Sequence, residues 1–228
     1  EMAEAQHILE IEHRWLGYRD SGMAREDGSL EPGTFAAIPI ATSVRPLIRL
    51  IREFRPHVLV TYDERGGYPH PDHIRTHEIS MLAWDEAAAD RHPELGAPWS
   101  VQKLYYDRTM NDERFRSLLS ELKLHPDKKH LADRMEAVVE RILQRAQRRT
   151  TRIAVGDYLL RRDDALRAHA SQVAPDHEFF FGYPRDIEAT AYPFEDYELV
   201  RSRVGEPADG EFEADLFERV VLEGEEGR

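Results

Sequence analysis

The run VLVTY at positions 58–62 restricts the fold of this chain more than any other segment. It is continuous, largely apolar and rich in β-branched residues, which favour strands. A run of this kind is typical of a strand that is buried on both faces of a parallel sheet. Candidate helices stand on either side of it, at 42–54 and 71–89. We therefore predict an α/β fold with a buried parallel strand at 58–62.

The rest of the chain alternates between candidate strands and candidate helices in the same way. The strands lie at 13–18, 103–108 and 152–155, and the helices lie at 1–10, 111–150 and 157–172. Alternation of this kind indicates an α/β domain with a mostly parallel sheet. We expect one such domain over residues 1–204, with a charged helical insertion at about 107–150. Residues 205–228 form an acidic tail that we expect to be solvated.

Composition excludes several classes of protein. The 228 residues include 31 basic and 44 acidic side chains, a net charge of −13, and no cysteine. The lack of cysteine rules out a disulfide scaffold, a thiolate zinc finger and a cysteine nucleophile. The acidity argues against binding to nucleic acid or to an anionic membrane, and no run of about 18 apolar residues is present to span a bilayer. We expect a cytoplasmic protein.

The loop that follows the predicted strand has the most informative chemistry. Its sequence over 62–73 is YDERGGYPHPDH. In open α/β sheets, ligands bind at the carboxyl ends of the strands. The paired glycines Gly66 and Gly67 allow a sharp turn, and Pro71 suits the first position of a helix. His70 is then expected at the N-cap of that helix, close to the sheet edge.

His70, Asp72 and His73 offer three metal- or proton-binding groups within four residues. Neutral imidazole is a common zinc ligand, and a catalytic zinc site keeps an open position for water. Because Asp72 and His73 leave a helix about 100° apart, we do not expect all three groups on one ion. We favour one histidine on a metal, one as an acid or oxyanion donor, and Asp72 orienting a histidine, with Tyr68 as a further donor. The alternative is a helix N-terminus with surface histidines.

Two further segments contain candidate substrate contacts. The first, Arg19 to Met23, has the sequence RDSGM and follows the predicted strand at 13–18. A carboxylate such as Asp20 can accept hydrogen bonds from sugar hydroxyls, although Asp-Ser-Gly is also a common turn. The second is His169, which shares a face of the predicted helix at 157–172 with Gln172. A buried, hydrogen-bonded histidine is the alternative interpretation there.

Three of these segments together resemble a known family. The stretch FRPHVLVTYDERGGYPHPDHIRTH, at 54–77, resembles the second metal motif of the LmbE-like, PIG-L-type de-N-acetylases. WLGYRDSG at 15–22 and RDDALRAHASQ at 162–172 are similar to other parts of that family. The likeness extends from Met2 to about Phe217 and is weakest over 107–150. It implies a Rossmann-like α/β domain, with helices on both faces of the sheet, that cleaves an amide by metal-activated water.

The resemblance assigns roles to the loop residues. His73 matches the metal-binding histidine of the family, and His70 matches the histidine that acts as general acid or stabilises the oxyanion. Asp72 matches the carboxylate that tunes that histidine, and Tyr68 matches the tyrosine that polarises the carbonyl. The implied cofactor is Zn²⁺, with Fe²⁺ as an alternative.

The resemblance also implies a substrate. Asp20 and Met23 match positions that meet a glucosaminyl-inositol group, and we add Arg19 and His169 as candidate contacts. The chain is most similar to members that hydrolyse mycothiol S-conjugates, which are cysteinyl-glucosaminyl-inositol thioethers, to glucosaminyl-inositol and a mercapturic acid in detoxification. The first alternative is deacetylation of N-acetyl-glucosaminyl-inositol. A homo-oligomer is left open.

One family motif does not occur in the 228 residues. The remaining metal ligands and the general base of the family lie in an HPDDE segment on its first strand, and this sequence has no HPDDE. The segment His125-Pro126-Asp127-Lys128 is similar to HPDDE only superficially, because no strand is predicted before it. We expect the HPDDE segment to precede Glu1. If the protein lacks it altogether, the further alternative is an inactive sugar- or partner-binding domain.

Overall fold

A computed structural model describes residues 1–142 and 147–222, and it confirms the α/β class. Parts of the predicted insertion (143–146) and of the acidic tail (223–228) lie outside the described residues. The helices are α1 (Met2–Leu9), α2 (Ile40–Ser43), α3 (Arg45–Phe54), α4 (Pro71–Glu86), α5 (Asp112–Leu122), α6 (Lys129–Ile142), α7 (Leu159–Arg167), α8 (Glu178–Phe181) and α9 (Arg185–Ala191). The strands are β1 (Val58–Thr61), β2 (Lys103–Asp107), β3 (Thr151–Ala154) and β4 (Phe194–Ser202).

The strands form one four-stranded sheet in the order β1-β2-β4-β3. Strands β1 and β2 are parallel, with Val58 opposite Lys103, and α4 lies in the connection between them. Such a helical crossover is the usual way to join parallel neighbours. Strand β4 runs antiparallel to β2, with an irregularity in register at Leu104 and Tyr105. The sheet is therefore mixed, and its parallel pair is the part that leads into the informative loop.

Strand β1 is covered on one face, and the prediction that it is buried on both faces is wrong. Leu59 packs against the apolar core and Thr61 is buried, and the Thr61 hydroxyl donates to Ser80 Oγ of α4 at 3.0 Å. Val60 points to the opposite face and is 43 % exposed. The reason is that α4 packs on one face of β1, and Val60 lies on the other face.

The strand predicted at 13–18 is wrong as well. Residues 10–18 contain no strand, and Arg19 makes only an isolated bridge with Thr34. Leu16 and Tyr18 of this segment pack against other elements instead of aligning with a neighbouring strand, whereas Trp15 is largely exposed. Tyr18 stacks on Phe35, with ring centroids 5.3 Å apart, and its hydroxyl donates to the Thr42 carbonyl.

The backbone divides into two compact units. Unit I comprises Glu1–Arg14 and Arg108–Asp196, and unit II comprises Trp15–Asp107 and Tyr197–Arg228. Unit I has an apolar core of side chains from α5, α6 and α9 and the segment before α9. It also buries Glu188, whose carboxylate pairs with Arg114 and Arg162. Burial raises the pKa of Glu188, but the hydrogen bond from Arg162 and the surrounding guanidinium charges outweigh that effect and lower it.

Unit II has its core between α3, α4 and β2, and this core fixes the position of α4. The buried side chains include Ile48 and Ile51 of α3 and Ile79 and Trp84 of α4. At the carboxyl end of α4, the buried guanidinium of Arg52 donates to a set of main-chain carbonyls, those of Glu86, Ala87, Ala89, Arg91, His92 and Gly96. The Glu86 and Ala87 carbonyls lie at the end of α4, where a helix leaves carbonyls without intrahelical partners, and the other four belong to the segment that follows.

The acidic tail is not simply solvated. Glu213 is 1 % exposed, and its carboxylate accepts hydrogen bonds from Lys103 Nζ at 2.8 Å and from the Tyr105 hydroxyl at 2.7 Å. Lys103 is itself fully buried, and Arg219 donates to the same carboxylate. A charged residue is found in such a place only when it is paired. The boundary of a separate tail at residue 205 stays a prediction.

Candidate active site

The loop between β1 and α4 is held in shape by its own first carboxylate. Asp63 Oδ1 accepts hydrogen bonds from the main-chain N–H groups of Arg65 and Gly67, at 3.0 and 3.1 Å. The Asp63 carbonyl accepts a third bond from the Gly66 N–H. Gly66 itself has φ +70°, which favours glycine. The result is a compact turn that presents the Gly66 carbonyl to the first turns of α4.

His70 is the N-cap of α4, as the sequence predicts. Its backbone is extended, and Pro71 occupies the first helical position. The Nδ1 atom of His70 accepts a hydrogen bond from the Asp72 N–H at 3.1 Å. A neutral imidazole that accepts at Nδ1 has its proton on Nε2. His70 can therefore donate one hydrogen bond from Nε2 to a bound group.

His73 is oriented by a main-chain carbonyl and by two aromatic rings. Its Nδ1 lies 2.9 Å from the Gly66 carbonyl oxygen. Its ring stacks on Tyr62, with centroids 4.3 Å apart, and meets Tyr68 edge-on at 4.7 Å. When Nδ1–H donates to a carbonyl, the lone pair lies on Nε2, and metal-binding histidines are commonly oriented in this way. Burial raises the pKa of Tyr62, and the charges of Asp107 and Tyr68 raise it further.

Asp72 has one carboxylate oxygen bonded and one buried without a partner. Oδ2 accepts from the Ser21 N–H at 2.9 Å, whereas Oδ1 is buried and has no hydrogen-bond partner among residues 1–142 and 147–222. Possible ligand atoms of Asp20, His70 and Asp72 all lie within 4.8 Å of one another. An unpaired buried carboxylate oxygen beside an imidazole fits a divalent cation. The residues present therefore suit a metal, although His73 is outside this group of three.

The structure brings five of the predicted site residues together. Tyr68, His70 and His73 form one group of rings, with Tyr68 and His70 centroids 5.9 Å apart, and Asp72 stands between the two histidines in sequence. Tyr68 is 54 % exposed, so a ligand can reach its hydroxyl. Asp20 joins this group through its carboxylate, whose Oδ1 accepts from the Gly22 N–H at 2.7 Å.

The other predicted substrate contacts lie in different settings. The Arg19 guanidinium forms an exposed ion pair with Glu31 at 2.7 Å, and the Met23 side chain is exposed. His169 belongs to unit I and lies beyond α7, which ends at Arg167 and not at residue 172 as predicted. Beyond the end of α7 the chain forms a turn, in which the His169 carbonyl accepts hydrogen bonds from the N–H groups of Gln172 and Val173.

Sequence reasoning missed two side chains that hold the site together. Ser21 joins Asp72 to the main chain of Ala36, and Arg75 of α4 donates to main-chain carbonyls of the same segment. The sequence signal for Arg75 is its spacing of three residues from Asp72, which places both on one side of a helix. Nothing in the sequence marks Ser21 apart from its place in the turn.

Comparison with known proteins adds four findings. The family described as PIG-L, GlcNAc-PI de-N-acetylase, matches residues 1–84. A Streptomyces coelicolor protein named mycothiol S-conjugate amidase is 39 % identical over 210 residues, which cover 90 % of this chain and 71 % of that protein. A Frankia alni protein named 1D-myo-inositol 2-acetamido-2-deoxy-alpha-D-glucopyranoside deacetylase 1 is 35 % identical over 223 residues, which cover 92 % and 74 %. The crystal structure of the conserved protein TT1542 from Thermus thermophilus superposes with a TM-score of 0.51 at 18 % identity, covering 90 % of this chain and 74 % of that one, and shows the fold alone.

Within residues 1–142 and 147–222, no helix is both long enough and apolar enough to cross a bilayer.

Proposed function

Because the chain belongs to the PIG-L-type, LmbE-like de-N-acetylase family, we propose that it takes part in hydrolysis of the amide bond of a small glucosaminyl-inositol derivative. The finer proposal is an amidase that converts a mycothiol S-conjugate to glucosaminyl-inositol and a mercapturic acid. One observation supports the hydrolysis above all others. It is the grouping of Tyr68, His70 and His73 around the Gly66 turn, with the two imidazoles held by main-chain hydrogen bonds.

We assign the metal to His73, through Nε2, because His73 matches the metal-binding histidine of the family; the group of Asp20, His70 and Asp72, which does not include His73, is the alternative position. The Nδ1 atom of His73 lies at hydrogen-bond distance from the Gly66 carbonyl, and the Tyr62 ring covers one face of its imidazole, so only Nε2 is assigned to the ion. A divalent ion, when bound, supplies an acidified water and polarises a carbonyl. We propose Zn²⁺, and Fe²⁺ is the alternative, because imidazole and carboxylate ligands accept both. We assign none of residues 1–228 as the base that accepts the proton of the water.

His70 and Tyr68 are proposed to stabilise the oxygen of the amide as it gains negative charge. His70 donates from Nε2, because Nδ1 is occupied by the Asp72 N–H. The Tyr68 hydroxyl is a second donor, from a side chain that solvent and substrate can reach. Asp72 positions His70 through this N–H and places a carboxylate beside it. The departing amine needs a proton, and His70 is the proposed acid; it acts there as the imidazolium, which forms when Nδ1 takes up a proton beside the Asp72 carboxylate and which returns to neutral imidazole when Nε2–H is transferred.

We assign the sugar part of the substrate to residues 19–23. Asp20 has one carboxylate oxygen bonded to Gly22 N–H, which leaves the other for a hydroxyl group. Met23 offers an exposed apolar surface to the carbon face of a ring. Arg19 and His169 stay predictions as substrate contacts, as do a cytoplasmic location and a homo-oligomer.

The second candidate is the deacetylase, and the names of other relatives favour it. A Streptomyces avermitilis protein named 1D-myo-inositol 2-acetamido-2-deoxy-alpha-D-glucopyranoside deacetylase is 37 % identical over 232 residues, covering 97 % of this chain and 75 % of that protein. The two activities differ in the acyl group, which is cysteinyl in one and acetyl in the other. Both would use the same grouping of Tyr68, His70 and His73.

We expect the complete gene product to hydrolyse a mycothiol S-conjugate with a kcat/KM at least about 10-fold higher than that for N-acetyl-glucosaminyl-inositol. The physical reason is that only the larger acyl group can add contacts beyond the shared sugar. The measurement is release of glucosaminyl-inositol from each substrate by the same preparation. The opposite preference would establish the deacetylase, and hydrolysis of neither would overturn both candidates and favour a binding domain.

A further inference from the structure

The Arg75 side chain of α4 binds main-chain carbonyls of the segment at 36–38. Its two terminal nitrogens donate to the Ile38 carbonyl at 2.6 Å and to the Ala36 carbonyl at 2.9 Å. The Arg75 side chain is 16 % exposed, and Glu78, one turn further along α4, lies 2.9 Å from its Nε as a counterion. Hydrogen bonds from a guanidinium to a carbonyl are charge-assisted, and the planar fork loses little freedom in forming them.

Ser21 joins the same segment to the other side of the site. Its hydroxyl accepts from the Ala36 N–H at 2.8 Å, and its own N–H donates to Asp72 Oδ2 at 2.9 Å. Ala36 is thus held at both its N–H and its carbonyl. The contacts form a closed ring that runs from Asp72 to Ser21, to Ala36, to Arg75 and back along one turn of α4.

We infer that Arg75 and Ser21 are positioning residues that clamp residues 19–23 to the first turns of α4. Asp20 is the neighbour of Ser21, and its carboxylate stands within 4.8 Å of possible ligand atoms of His70 and Asp72. The clamp therefore sets the distance between the sugar-binding carboxylate and the groups that act on the amide. As a statement about substrate affinity, the inference rests on the proposed function.

The test compares Arg75→Met with a matched control, Glu78→Gln, in the complete gene product. Arg75→Met keeps most of the apolar stem but removes both terminal nitrogen donors. Glu78→Gln removes only the negative charge that pairs with Arg75. We expect amide hydrogen exchange in residues 19–23 and 34–38 to accelerate by about 10-fold in Arg75→Met and to stay unchanged in Glu78→Gln. Ser21→Ala opens the ring at another point and is expected to have the same effect.

The kinetic readout separates positioning from general damage. With N-acetyl-glucosaminyl-inositol and with a mycothiol S-conjugate, we expect Arg75→Met to raise KM by about 10-fold while kcat stays within about two-fold. The double variant with Ser21→Ala should be no worse than either single variant, because both open one ring. Arg75→Lys keeps one charged donor and is expected to recover part of the affinity.

The outcomes are distinguishable. Unchanged exchange in residues 19–23, or a fall in kcat at constant KM, would overturn the clamp. Additive effects of Arg75→Met and Ser21→Ala would do the same, because they would show two separate contacts. If the unsubstituted protein hydrolyses neither substrate, the proposed function fails, and the exchange data still decide whether the clamp exists.

Discussion

Replacing Gly66 by alanine is expected to lower kcat/KM by at least about 100-fold, because the new methyl group would displace His73. An added Cβ would lie 2.5 Å from His73 Cβ, and 3.0 Å from both the Ile74 nitrogen and the Tyr68 oxygen. These are backbone atoms and the base of a side chain, so they cannot rotate away. The same carbonyl that orients His73 Nδ1 would move with the turn.

The neighbouring glycine provides a matched control. Gly67 has φ +75°, almost the same left-handed conformation as Gly66 at φ +70°. A Cβ there would meet only Tyr62, with Cδ1 at an ordinary contact distance of 3.6 Å. Gly67→Ala therefore measures the cost of left-handed backbone, of order 1–2 kcal/mol, without a clash at His73. Equal losses of kcat/KM in the two variants would contradict the proposed role of the Gly66 turn.

Replacing Glu213 by alanine is expected to lower the free energy of unfolding by about 3–5 kcal/mol, the usual cost of leaving a buried charge unpaired. Lys103 is fully buried, and its ammonium lies 2.8 Å from Glu213 Oε1. The Tyr105 hydroxyl would lose its acceptor on Glu213 Oε2. The measurement is denaturant-induced unfolding at neutral pH.

A double variant distinguishes an unpaired charge from lost packing. Lys103→Met combined with Glu213→Leu removes both charges and keeps the side-chain volume, and replacement of a buried pair in this way is often neutral. We expect the double variant to recover most of the stability that Glu213→Ala loses. A change below about 1 kcal/mol in the single variant would show that Glu213 is not buried against Lys103 in solution.

The parts of the fold that the sequence predicts correctly are those with local signals. The β-branched run at 58–62 identifies β1, and the Pro-His-Pro-Asp spacing identifies His70 as the N-cap of α4. The false strand at 13–18 also has a local apolar pattern, but Leu16 and Tyr18 pack against other elements and Trp15 is exposed. The burial of Glu213 depends on its ion pair with Lys103, which is 110 residues away in the sequence. The distribution of charges along the chain does not predict a pairing over that distance.

In the candidate site, too, the residues with local sequence signals are predicted and those that act through distant contacts are not. Tyr68, His70, Asp72 and His73 lie in one short segment, so their spacing and residue types are enough to select them. The Ser21 N–H and the Gly66 carbonyl are main-chain groups, and the Ser21 hydroxyl has a main-chain partner, so these contacts leave no residue-type signature in a sequence. The same holds for the main-chain partners of Arg75, which lie 37 and 39 residues before it.

The most direct test of the proposed active site is a metal titration that compares two histidines of one helix. His73 and His77 both lie on α4, and each has its Nδ1 near a main-chain carbonyl, that of Gly66 at 2.9 Å and that of Tyr62 at 3.1 Å. The complete gene product and its His73→Ala and His77→Ala variants would be titrated with Zn²⁺ against a chromophoric chelator. We predict that His73→Ala weakens the affinity by at least about 100-fold and that His77→Ala stays within about three-fold of the unsubstituted protein. Unchanged Zn²⁺ affinity in His73→Ala would contradict the assignment of the metal to His73.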